Sequence, residues 1–412
     1  MKNDFRKASR WIFLGVPLVA GMIVYMMNLT QSALWYDEAI EYFFSKYTSG
    51  AVPGSRYTSS MYERIVSTYQ PPLYNWLMHL WLLFFDSEYS FRLAGVLITL
   101  LGTIGIFAGL SELTDYRWAS LGSLLYVFTG SISYYALECA EYNLMLCCIA
   151  WTLYFYIKTI LTDRVHSLVF FFIFACLSVY SQYGAVFLVV VLYLSFFTHF
   201  VYNKKKEMIK LLIILTAIVL VIAVMPLVWF FLLTQLQHQG TTSVSHSVYF
   251  ANDRNVAVDF IVSVLSQLGF NFGGKGDLPQ IARRLPTIVV AVAIIATIIA
   301  GLRKKKMLNN LVGVCIVSWL IYYIITACSL YGYNSWNAES LGTNNIGKSY
   351  GLFFTPLWVL TLTYGIYLFS IIVKEKVSKN IWMGYRVLFT IAVFIFCGVG
   401  MVSVYKLSKK DN

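Results

Sequence analysis

The sequence predicts an all-α polytopic membrane protein, a single integral membrane domain over 1–412 with about eleven transmembrane helices and juxtamembrane helices in the first outer loop. Composition is the first reason: of 412 residues, 59% are hydrophobic and only 12% charged, with a mean hydropathy of +0.68, outside the range of soluble domains. The second is the recurrence of apolar runs of about 20 residues, each long enough to cross a bilayer. The third is charge placement. The net charge of +12 comes from Lys and Arg gathered in short clusters between those runs, as cytoplasmic loops require, so no nucleic-acid partner is needed to explain it.

The spans read at about 11–28, 92–111, 118–137, 142–161, 167–181, 185–202, 211–233, 286–302, 309–330, 350–373 and 383–404. Lys2, Arg6, Lys7 and Arg10 precede the first span. No small-residue cleavage site follows, so it reads as an uncleaved span rather than a signal peptide. The apolar stretch 73–85 is too short to cross comfortably and carries Asn75 and His79. Charge decides its place. If it does not span, the clusters Lys204-Lys205-Lys206, Arg303-Lys304-Lys305-Lys306 and Lys374/Lys376/Lys379 all fall on the cytoplasmic side. If it spans, all three fall outside, against the positive-inside rule. It is therefore expected to lie along the membrane surface. Lys406, Lys409 and Lys410 dissent from this count.

This topology puts 29–91, 138–141, the Ser181–Gly184 break, 234–285 and 331–349 on the outer face, with 12 of the 19 acidic residues. A protein weighted to one face is unlike a carrier, which works from both. The first outer loop, 29–91, reads as surface helices near 37–48, 59–67 and 72–85. Pro53-Gly54-Ser55 marks a turn and Pro71-Pro72 opens the last helix. The second long outer loop, 234–285, is polar at first and amphipathic near 254–268. Gly273-Gly274-Lys275-Gly276 lacks the spacing and the preceding strand of a phosphate-binding loop. The seven cysteines lie in or beside apolar runs, which argues against a disulfide framework.

Candidate chemistry begins with Asp37-Glu38, a carboxylate pair after the first span, flanked by Trp35, Tyr36, Tyr42 and Phe43. Such a pair can take a proton from a hydroxyl, bind a metal or hold a sugar. It also suits a plain helix N-terminus. Glu138 and Glu141 flank a junction too short to stray from the bundle, on the same face. Charges at the edge of a hydrocarbon region are expensive and ask for a role. Lys348, two residues before Tyr350, opens the tenth span on the outer side, where positive charge is not favoured. It can meet a lipid phosphate or simply snorkel. Histidine spacing makes no zinc site, and no nucleophile elbow or HExxH occurs.

Trp35-Tyr36-Asp37-Glu38-Ala39, Gln70-Pro71-Pro72-Leu73-Tyr74, Ser87-Glu88, Phe91-Arg92-Leu93 and Glu138-x-x-x-Tyr142 come in this order. Together they resemble the GT-C membrane glycosyltransferases of glycosyltransferase family 39, the protein O-mannosyltransferase and aminoarabinose-transferase-like group. The likeness covers roughly 30–200 well and the rest loosely. Ala140 stands where the group often has arginine, and Lys348 where it often has arginine before tyrosine.

The resemblance implies a hexosyl- or pentosyltransferase that moves sugar from a polyprenyl-phosphate donor to an acceptor hydroxyl, with inversion. The acceptor would be a glycan, lipid or protein, and the site the extracytoplasmic face of a plasma membrane, bacterial if the carrier is undecaprenyl phosphate. It gives Asp37 the catalytic role, with Glu38 beside it. It gives Lys348 and Tyr350 the donor phosphate. Glu138, Glu141, Tyr142 and Tyr74 would meet substrate or metal, and Mg2+ or Mn2+, if a metal is used, would be held by Asp37 and Glu138, with Glu38 as a further candidate ligand. Two rival classes remain: a flippase for lipid-linked sugars, which predicts ionisable residues at mid-membrane, and a non-catalytic partner in envelope assembly.

Overall fold

A computed structural model describes residues 2–29, 34, 36–47, 71–229, 232, 280–303, 306–327, 351–376 and 379–407. These are helical, with no strand among them. Helix α1 is Lys2–Asn28, α2 Tyr36–Lys46, α3 Leu73–Leu82, α4 Glu88–Leu113, α5 Tyr116–Val127, α6 Gly130–Leu137 and α7 Tyr142–Thr162. Then come α8 Val165–Ser181, α9 Ala185–Tyr202, α10 Lys206–Val219, α11 Gln280–Gly301, α12 Lys306–Ala327, α13 Thr355–Lys376 and α14 Lys379–Leu407.

Six helices are long and apolar enough to cross a bilayer, and four shorter apolar ones accompany them. The third apolar segment, expected as one span at 118–137, is built of two helices. It breaks at Phe128-Thr129 into α5 and α6, with Thr129 in an extended conformation. A break at membrane depth frees backbone groups that water cannot reach. Here the Val127 carbonyl accepts from the Tyr25 hydroxyl at 2.6 Å and from Ser133 Oγ at 2.8 Å. The Phe128 carbonyl lies 2.4 Å from where a Cβ on Gly400 would stand, so α14 crosses the break only through a glycine.

The core is the pair α4–α7. Gly102 and Gly105 sit where added Cβ atoms would stand 3.0 Å from Cys147 Cα and 3.1 Å from the Ala150 and Trp151 backbone. Small residues let the two backbones approach, the usual way helices pack in lipid. Ile106, Phe107, Met145, Ile149 and Leu153 close the seam, all buried.

Both ends of the bundle are recognisable. At one, Asp163 in the α7–α8 turn pairs with Lys205 at 3.0 Å, joining it to the α9–α10 turn. At the other lie the N-terminus of α4, the α6–α7 junction, the end of α8 and the short helices α2 and α3. At ten residues, α3 is about 15 Å long, half of what a crossing needs. The expected surface helices near 37–48 and 72–85 are α2 and α3. The one near 59–67, and nearly all of 234–285, lie outside the described residues.

Candidate active site

Helix α2 is organised by a polar stripe. Glu38, Glu41, Tyr42 and Ser45 recur at helical spacing, and all are buried. Buried charges need partners, and three neighbouring elements provide them. Glu38, 4% exposed, accepts from Arg92 Nη2 at 2.8 Å through one oxygen and from the Cys139 backbone N–H at 3.0 Å through the other. Arg92 is itself 8% exposed, on α4, and Cys139 lies in the α6–α7 junction. Glu41 accepts from Asn75 Nδ2 of α3 at 2.7 Å. One turn further, His79 Nδ1 meets the Ser45 carbonyl at 2.7 Å. At the exposed end of α2, Lys46 pairs with Asp86 at 2.9 Å and the Tyr42 hydroxyl donates to the same oxygen. The Lys46 ammonium holds the Asp86 carboxyl below its ordinary value.

Tyr74 lies in the middle of this cluster, 1% exposed. Burial pushes its phenol well above the usual value, and Cys139, Glu41, Glu141 and Glu38 add to the effect. It stays protonated and keeps its O–H as a donor. The Cys139 thiol is likewise raised, by burial and then by Glu38, with Arg92 opposing; it is no nucleophile.

Among the residues expected from sequence, Glu38, Tyr74, Glu138 and Glu141 come together. Glu141 is 2% exposed, and its carbonyl accepts from Met145 N–H to start α7. Glu138 is half-buried; it and Glu38 both act on Cys139. Tyr142 is half-buried, its ring 4.7 Å from that of Tyr135. Asp37 is in the first turn of α2, one turn before Glu41 in register; its side chain lies outside the described residues, as do Lys348 and Tyr350. Gly351 begins the described chain just beyond them. The turn Leu352–Phe354 packs on α7 and α9 at the same end of the bundle, with Phe353 5.9 Å from Phe187.

Sequence reasoning passed over Arg92 and Glu41 as site residues. Arg92 had a signal: an arginine just inside an apolar span of 26 residues is costly without a partner. Glu41 had none, since only the packing of α3 shows it to be buried. Among the described residues no three His, Cys, Asp or Glu side chains are arranged to hold a metal ion, and both Glu38 oxygens are engaged.

The family model described as dolichyl-phosphate-mannose-protein mannosyltransferase matches residues 69–229, which contain Tyr74, Asn75, Arg92, Glu138 and Glu141. No curated protein sequence matches the chain. Among solved structures, the Archaeoglobus fulgidus oligosaccharyltransferase tethered to an acceptor peptide is similar with a TM-score of 0.54 at 12% identity, over 99% of this chain and 56% of that one. The archaeal oligosaccharyltransferase AglB of the same organism, in complex with an inhibitory peptide and a dolichol-phosphate, gives 0.51 at 11% identity, over 98% and 56%. Its complex with Zn and sulfate gives 0.50 at 13% identity, over 95% and 53%. This chain spans little more than half the length of those proteins. The chain is thus an integral membrane protein that shares its fold with these oligosaccharyltransferases and, over residues 69–229, matches the mannosyltransferase family model.

Proposed function

We propose that the protein is a glycosyltransferase that takes a sugar, hexose or pentose, from a polyprenyl-phosphate donor. It places that sugar, with inversion, on an acceptor hydroxyl of a glycan, lipid or protein at the extracytoplasmic face of a bacterial plasma membrane. One observation carries the reading: the buried junction of Glu38 with Arg92 and the Cys139 N–H. It ties α2 to the span α4 and to the α6–α7 junction that carries Glu138 and Glu141, and so supports a role for the adjacent Asp37 at that junction. A carboxylate pair kept only for a helix N-terminus needs no such anchorage.

The two members of the pair then divide their work. Glu38, earlier a candidate for catalysis itself, is a positioning residue with both oxygens engaged. Asp37 takes the proton from the acceptor hydroxyl or orients it, and that oxygen attacks the anomeric carbon opposite the leaving phosphate. A carboxylate base of this kind contributes about 10²–10⁴-fold. Lys348, with Tyr350, faces the donor phosphate and neutralises it as it leaves. Tyr74, protonated, offers a hydrogen bond to a substrate hydroxyl, and Glu138, Glu141 and Tyr142 line the acceptor side.

The described donor set does not make a cation site, because Glu38 is committed. Asp37 with Glu138 are the residues that would hold Mg2+ or Mn2+, and no step is routed through one. The buried acidic groups gather at one end of the bundle, which favours transfer at one face over a flippase.

The test is Asp37→Asn in purified protein with a defined polyprenyl-phosphate sugar. Transfer should fall by at least about 10²-fold with thermal stability unchanged. Near-normal turnover by a stable variant overturns the catalytic assignment.

A further inference from the structure

We infer that Asn143 is a positioning residue of the proposed transfer, one that sets the α6–α7 junction and, through it, Glu38 and Glu138; this rests on the transferase reading and adds a residue to it.

The junction turns the chain sharply between two helices. Helix α6 stops at Leu137 and α7 starts at Tyr142. The last carbonyls of α6 have no partner in their own helix, and buried carbonyls need one. The Tyr134 carbonyl accepts from the Glu138 N–H at 3.2 Å, and the Glu138 carbonyl from the Ala140 N–H at 3.0 Å. The Tyr135 carbonyl takes its partner from the far side of the turn: Asn143 Nδ2 donates to it at 3.5 Å. Asn143 is thus the side chain that closes the turn bearing Glu138, the Cys139 N–H and Glu141.

The bond is long, and steric fit holds the amide as well. One turn along α4 from Arg92 stands Gly95. A Cβ there would lie 2.8 Å from Asn143 Nδ2 and 3.1 Å from the Ala136 carbonyl oxygen, with the Glu138 carbonyl oxygen at 3.8 Å. Helix α4 therefore meets the site at two levels. Arg92 binds Glu38, and Gly95 admits the Asn143 amide by having no side chain.

A side chain kept only for packing would not be an amide. Asn143 is 1% exposed, and its Oδ1 has no hydrogen-bond partner among the described residues. A buried amide oxygen left so is costly. Leucine has nearly the same shape without that cost. Such local rules are broken chiefly at functional sites. The gain here is the setting of the junction. The Cys139 N–H reaches Glu38 Oε1 at 3.0 Å, and Glu38 in turn anchors the helix that bears Asp37. Loosening the turn moves that N–H first.

The experiment uses the full chain in nanodiscs, with a defined polyprenyl-phosphate sugar for turnover and peptide-level mass spectrometry for cysteine alkylation. Asn143→Leu keeps the volume and removes the donor. It should lower kcat about tenfold at unchanged donor KM, the worth of one hydrogen bond. Cys139, 2% exposed, should alkylate about tenfold faster by the same measure, while the buried Cys147 and Cys148 of α7 stay protected. Two double variants separate hydrogen bonding from space. Gly95→Ser/Asn143→Ala puts a hydroxyl within reach of the Ala136 carbonyl, and should restore most of kcat and the protection of Cys139. Gly95→Ala/Asn143→Ala fills the same space without a donor and should restore neither. Asn143→Gln, the same amide set one methylene further out, should also lower kcat, and it serves if the other variants do not fold. Four results overturn the role: wild-type kcat in a stable Asn143→Leu or Asn143→Gln, a donor KM that rises while kcat holds, an unchanged Cys139, or no difference between the two doubles. A wild type that transfers no sugar, with Cys139 still released by Asn143→Leu, overturns the transferase reading instead.

Discussion

Glu38→Gln is the sharpest perturbation of the proposed site. The amide keeps the shape of the carboxylate and can still accept from Cys139 N–H, but it removes the negative charge that answers the buried Arg92 guanidinium. Glu38 and Arg92 are 4% and 8% exposed, 2.8 Å apart. Breaking such a pair from one side costs about 3–5 kcal/mol, whereas replacing both partners by apolar groups of similar volume is often nearly neutral. Glu38→Gln and Arg92→Met are each expected to lose about 3 kcal/mol or more, read as a lower unfolding midpoint in detergent. Glu38→Leu/Arg92→Met should recover most of that loss. A double variant that is stable and whose kcat is still low at unchanged donor KM identifies Glu38 as positioning Asp37 rather than merely holding the fold. Two results refute the reasoning: a Glu38→Gln protein as stable as wild type, or a double variant with full kcat.

Three other outcomes are expected. Lys348→Ala should raise the donor KM, Lys348→Arg should retain part of the activity, and Lys348→Glu should be worst; an unchanged donor KM in Lys348→Glu excludes the phosphate role. Gly105→Ala drives a Cβ to 3.1 Å from the α7 backbone and should cost about 1–3 kcal/mol, while Gly313→Ala, with nothing within 4 Å, should be neutral or stabilising by up to about 1 kcal/mol; detergent melting midpoints compare the two. Cysteines placed at Ser59 and Ser87 should both react with an impermeant reagent from outside, and reaction of Ser87→Cys from the cytoplasm alone would reject the proposed topology.

What the sequence determines by itself is the solvent of each segment. Hydropathy over some 20 residues marks the eleven apolar segments, because a bilayer rejects any backbone not satisfied within its own helix. Charge clusters argue which loops share a side. The short run at 73–85 declared itself by length and by Asn75 and His79, and α3 is accordingly a ten-residue helix. Asp37-Glu38 stood out because two carboxylates beside a span demand a reason.

Three things were decided only by tertiary structure. The segment 118–137 breaks at Thr129 because Tyr25, a hundred residues away, and Ser133 satisfy the freed Val127 carbonyl; no local pattern announces a partner at that distance. Glu38 and Glu41 are buried because α3 and α4 pack across α2, and burial of a polar stripe cannot be read from a helix whose partners are unknown. Glu38, adjacent to Asp37 and like it in sequence, is the one seen to meet Arg92, a contact that only the packed bundle provides and on which the proposed division of work between the two rests.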